Sequence, residues 1–164
     1  MSARVLLVTG SRALSDTPQA EAWARAELAK HISDDLVTVV SGDARGPDEW
    51  VHQLARGMWH ARWTLGGSVD AILLNEWWSE ARWLPLGTPA PHTNEAWKAR
   101  ALARNKAMVE HTARYDHSTV KVVALKAPWS RTDGTGHTAG LAARHGLPVE
   151  VLTCPEEYGP RGSR

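Results

Sequence analysis

The chain has 164 residues, a net charge of +1 and one cysteine, Cys154. That length fits one domain with an ample core. Near-neutral charge supplies no field that would recruit a polynucleotide or an anionic membrane, and a single cysteine excludes an internal disulfide framework.

Arg4-Val5-Leu6-Leu7-Val8 is short and apolar on both faces, which suits a central parallel strand. Ser2 and Ala3 precede it, so no signal peptide is expected, and no apolar run approaches the roughly 20 residues that span a bilayer. A reducing cytoplasm is the expected setting. Thr9-Gly10-Ser11-Arg12 follows at the strand's carboxyl end. Thr17 then caps a helix that begins with Pro18 and runs to about Lys30.

Val37 to Val40 is β-branched and too short for a helix, so it reads as the second strand. A polar glycine loop, Ser41-Gly42-Asp43-Ala44-Arg45-Gly46, leads into a helix with Pro47 at its first position. Asp48 and Glu49 lie in the first turn, where the helix dipole favours acids. Val51, Leu54, Ala55 and Met58 give that helix an apolar stripe ending near 60–63. Leu65 to Ser68 signals a turn, and Val69 to Leu74 a third strand.

Residues 75–96 carry Trp77, Trp78 and Trp83 with Pro85, Gly87, Pro89 and Pro91. They read as an insertion or lid over the sheet edge, or as a contact between copies in a homo-oligomer. Glu95 to about Tyr115 is a helix, and Val120 to Leu125 the fourth strand. Asp133-Gly134-Thr135-Gly136-His137-Thr138 opens a helix that His145-Gly146 stops, and Pro148 to Leu152 is the fifth strand. Residues 155–164 are rich in glycine, proline and arginine and read as a flexible tail.

Alternating strands and helices predict an α/β fold with a mostly parallel five-stranded sheet and helices on both faces. In such sheets ligands bind beyond the carboxyl ends of the strands. Three polar glycine loops fall there: 10–12, 41–46 and 133–138. Their convergence on one edge is the main functional signal that the residues give.

Gly134 to Thr138 places free N–H groups and hydroxyls at a helix start, suited to an anion, though it is neither a dinucleotide fingerprint nor a P-loop. Arg12 and Arg45 can grip phosphate or carboxylate, or simply pair with nearby acids. Asp48 can contact a ribose hydroxyl, act as an acid/base, or merely complement its helix. Arg104-Asn105 sits mid-helix, where asparagine is a mild liability and often has a partner; the alternative is a surface polar pair. The eight histidines show no metal spacing; of these, only His137 is a candidate for acid/base work. Nine tryptophans without a phenylalanine either fill the core or, in part, line a cleft and stack on a base.

Val8-Thr9-Gly10-Ser11-Arg12, Ser41-Gly42-Asp43-Ala44-Arg45-Gly46-Pro47-Asp48, Arg104-Asn105-Lys106-Ala107-Met108, and Gly134-Thr135-Gly136-His137-Thr138 with Gly146-Leu147-Pro148-Val149 together resemble the YspA-like branch of the SLOG superfamily. This superfamily joins the DNA-processing protein DprA with the Lonely Guy enzymes. The resemblance spans about residues 4–152. It implies a Rossmann-like domain over 1–154, with 65–96 inserted, that binds a phosphorylated nucleotide or a ligand related to NAD or ADP-ribose. By motif, Gly10, Ser11, Arg12, Gly42, Arg45, Gly46, Asp48, Arg104, Asn105 and Gly134 to Thr138 would line the site. An alternative is N-glycosidic hydrolysis of a nucleoside monophosphate, with Asp48 or His137 catalytic. Lonely Guy enzymes carry Pro-Gly-Gly-x-Gly-Thr followed by a glutamate, whereas here Asp133 precedes Gly134 and His137 replaces the later glycine. Single-stranded nucleic-acid binding is a third reading, disfavoured by the charge. No cofactor and no metal is expected.

Overall fold

A computed structural model describes residues 3–36, 38–42, 45–64, 72–73 and 94–161. Four parallel strands make the body of the sheet: β1 (Val5–Gly10), β2 (Thr38–Val40), β4 (Val120–Lys126) and β5 (Val149–Thr153). A two-residue segment, β3 (Ile72–Leu73), pairs parallel with Thr38 and Val39 at the outer side of β2. The strand order is β3-β2-β1-β4-β5. The α/β class and parallel pairing agree with expectation. Val37 and most of the Val69–Leu74 stretch lie outside the described residues, as do the turn at 65–68 and Trp77, Trp78 and Trp83.

Among the described residues four α-helices connect these strands: α1 (Pro18–Ala29), α2 (Pro47–Thr64), α3 (Asn94–Thr112) and α4 (Gly134–Arg144). Their starts follow the sequence signals. Thr17 accepts the Ala20 N–H at 3.1 Å, and Pro18 takes the first turn where a missing N–H is harmless. Asp133 accepts the Gly136 N–H and so caps α4. Gly146 ends α4 at φ +75°, a left-handed turn that glycine adopts without strain.

Alternating β1 side chains join different apolar clusters, as the two-residue period of a strand requires. Leu6 and Val8 pack with Ala20, Ala24 and Leu28 of α1 and Trp50, Val51 and Ala55 of α2. Val5 and Leu7 pack with Met108 and Val109 of α3 and Ala142 of α4. Trp50 thus does core work, with the Arg25 guanidinium over its ring at 5.1 Å.

Residues 154–159, where the stretch read as a tail begins, make contacts with the body of the fold. Cys154 is buried, and Glu156–Tyr158 forms a 3-10 turn. Tyr158 packs on the core and its carbonyl accepts the Thr17 hydroxyl. The Trp129 ring lies so close to Gly159 that an added Cβ would sit 2.6 Å from it. These long-range contacts, which local composition does not reveal, hold residues 155–159 against the body.

Candidate functional site

The chain builds β1, β2 and β3 outward in one direction, then crosses to the other side for β4 and β5. The order therefore reverses between β1 and β4, and the loops leaving their carboxyl ends diverge there. A crevice is expected at such a switch point. The β1–β4 ladder runs through Gly10 opposite Leu125, and the Ser11 N–H continues it to the Leu125 carbonyl at 2.9 Å. Ser11 thus stands at the rim of the crevice.

A cleft of about 590 Å³ opens at this point. After β1 its wall comprises Thr9 to Ala13 and Asp16, and after β2 Arg45 and Asp48. Lys98, Ala101 and Asn105 come from α3, and Ser130, Thr132, Gly134 and Thr135 from the connection into α4. The volume falls within the roughly 300–1,000 Å³ of ordinary small-molecule sites.

Close backbone contact joins two of these walls. Pro47 lies directly over Gly10, and an added Cβ there would meet its ring carbons at 2.3–2.4 Å. Gly46 turns the chain at φ +102°, a left-handed backbone conformation that side chains rarely adopt. Both glycines let the start of α2 settle on the end of β1. The loop after β2 is fastened at its neck: the Gly42 N–H donates to Asp48 Oδ2 at 2.8 Å, and the Ser41 hydroxyl to the Asp48 carbonyl at 3.0 Å. Asp48 is 5 % exposed and is one of the residues that line the cleft.

Of the residues singled out from sequence, Gly10, Ser11, Arg12, Arg45, Asp48, Asn105, Gly134 and Thr135 meet at this cleft. Gly42 and Gly46 brace it from behind. Gly136, His137 and Thr138 do not line it. The reason is the cap on α4. The Asp133 carboxylate takes the Gly136 N–H at 3.1 Å and fills the space where a Gly136 side chain would be. Lys126 Nζ lies 3.1 Å from the same carboxylate and, with that N–H, holds it below the usual carboxylate range. The Thr138 hydroxyl is spent on the Gly134 carbonyl at 3.2 Å, and His137 is exposed. The Arg104 and Trp97 side chains, and Asp43, lie outside the described residues; no described tryptophan lines the cleft.

Asp16, Lys98, Ser130 and Thr132 also line the cleft, although no sequence signal singles them out. Only the position of Ser130 and Thr132 between β4 and the α4 cap could have marked them. Arg12, Arg45 and Lys98 outnumber Asp16 and Asp48 on the wall, so the described lining favours an anion. Hydroxyls of Ser11, Ser130, Thr132 and Thr135 can donate or accept, and Asp48 can accept from a ligand hydroxyl. No histidine is among the described lining residues, and no described cluster of His, Cys, Asp and Glu could hold a metal ion. No described helix is long and apolar enough to cross a membrane.

No protein-family model matches the chain, and neither a curated protein nor a solved structure does.

Proposed function

We propose that the cleft between β1 and β4 binds a phosphorylated nucleotide or a nucleotide-derived ligand, as a small cytoplasmic Rossmann-like module of the YspA-like type. What supports the reading most is the meeting of loops 10–12, 45–48 and 130–135 at the reversal of strand order, with α3 as the fourth wall. Helices α1 and α2 on one face of the sheet and α3 and α4 on the other leave that edge open. Arg12, Arg45 and Lys98 meet the phosphate charge. Because Asp133 occupies the Gly136 amide, the phosphate-facing part of the α4 loop narrows to Gly134 and Thr135. Asp48 accepts from a sugar hydroxyl, and Asn105 holds the ligand from α3.

A thermal-shift panel of nucleoside monophosphates, NAD, ADP-ribose and cyclic nucleotides tests this. Selective stabilisation by one phosphorylated ligand, reduced tenfold or more in affinity by Arg45→Ala, is expected. No stabilisation by any of them, or unchanged affinity in folded Arg45→Ala protein, overturns it.

The hydrolase reading retains one observation: Asp48 lies on the wall, whereas His137 does not. Acid/base work on a nucleoside monophosphate would therefore fall to Asp48. Release of free base, abolished by Asp48→Asn, separates that reading from simple binding.

A further inference from the structure

Behind the cleft, His52 and Ser41 form a buried polar pair that none of the functional readings uses. His52 is 3 % exposed and Ser41 fully buried, and Nε2 lies 2.7 Å from the serine Oγ. The serine has one hydroxyl proton, which goes to the Asp48 carbonyl. The short contact therefore takes its proton from the imidazole, so His52 carries hydrogen on Nε2 and leaves Nδ1 bare. Among the described residues Nδ1 has no partner. His52 follows Asp48 by one helical turn, so the same carbonyl also faces its backbone N–H in the α2 ladder.

We infer that His52 is a positioning residue: by donating to Ser41 it fixes the serine rotamer, closes the neck of the 41–48 loop, and so holds Asp48 and Arg45 at the cleft. The chain of contacts is continuous. His52 orients Ser41, Ser41 holds the Asp48 backbone, and the Asp48 carboxylate holds the Gly42 amide. Arg45 lies within the span thus closed. The assignment of purpose rests on the cleft being a ligand site; the clasp itself stands without a ligand.

The test uses the full chain with His52→Gln, which keeps an N–H donor, and His52→Leu, which removes it. Amide exchange read by NMR without ligand judges the clasp. His52→Leu is expected to speed Gly42 exchange at least tenfold relative to Leu6 and Val123, and His52→Gln to restore it. Long-range nitrogen–proton correlation on the wild type is expected to show the Nε2–H tautomer. Gly42 protection that changes only in step with the strand amides would mean a packing role and overturn the inference, as would an Nδ1–H tautomer. AMP and ADP-ribose affinities form the second arm. Weaker binding in His52→Leu, rescued in His52→Gln, supports the link to the site. Equal binding in both variants overturns that link. Failure of the wild type to bind AMP, ADP-ribose or any other nucleotide of the thermal-shift panel refutes the nucleotide reading, while the exchange data still decide the clasp.

Discussion

The burial of His52 makes a quantitative prediction about acid stability. Burial, with the Arg56 charge adding to it, pushes its pKa from the ordinary 6.5 down to about 4. Unfolded chain therefore takes up a proton as the pH falls below 6.5, while folded protein does so only near 4. The stability conferred by neutral His52 is complete above pH 6.5 and is lost as the pH falls towards 4. At about 1.4 kcal/mol per pH unit, this interval is worth about 3 kcal/mol. That is a large share of the roughly 5–15 kcal/mol that stabilises a typical domain. Urea unfolding at pH 7.5, 6.5, 5.5 and 4.5, for wild type and His52→Gln, measures it. Burial also lowers His31 and His111, and hydrogen bonds from Lys121 and Lys126 lower Glu150 and Asp133. These groups act in both proteins, so the difference between the two curves isolates His52. The stability advantage of wild type over variant should shrink with acidification, by about 3 kcal/mol in all by pH 4. Parallel curves over the range would refute the buried, neutral imidazole.

Three further substitutions probe the elements that shape the cleft. Gly10→Ala forces a methyl into Pro47 and should cost about 1–3 kcal/mol, read as a lower Tm; an unchanged Tm would show that α2 does not rest on the end of β1. Asp133→Ala removes the cap of α4 and should cost about 1 kcal/mol, with faster amide exchange at Gly136; unchanged exchange there would contradict the cap. Trp129→Ala withdraws the ring packed on Gly159 and the indole N–H given to the Ala13 carbonyl at 3.2 Å. It should cost about 2 kcal/mol and speed cleavage at Glu156 and Glu157 by a glutamate-specific protease, and equal cleavage rates would speak against a docked C-terminal segment.

Much of the architecture is written locally in the chain. The β-branched run before Ser41, Pro18 behind Thr17, Pro47 behind Gly46 and the stop at Gly146 each act within a few residues. Strand, helix start and helix stop can therefore be read from neighbouring side chains, and the three glycine loops follow at the ends of their strands. Strand order is a different matter, because it depends on pairing between segments more than a hundred residues apart. Only the folded sheet sets β1 against β4, and so turns loops that share an edge into walls of one cleft.

Side-chain direction within the loops was equally hidden. Sequence treats Gly134 to Thr138 as one cradle, but the cap formed by Asp133 and Lys126 divides it. Gly134 and Thr135 face the cleft, while the Gly136 amide and the Thr138 hydroxyl are spent within the helix. His52 carries no sequence signal, because a histidine beside the apolar positions Val51 and Ala55 resembles any other helical polar residue. Its partner, Ser41, lies eleven residues away at the end of β2. Local composition determined which elements form and where the chain turns, since caps and periodicity act over a few residues. Tertiary structure decided which groups confront one another, since each buried donor must find its acceptor wherever the fold brings one.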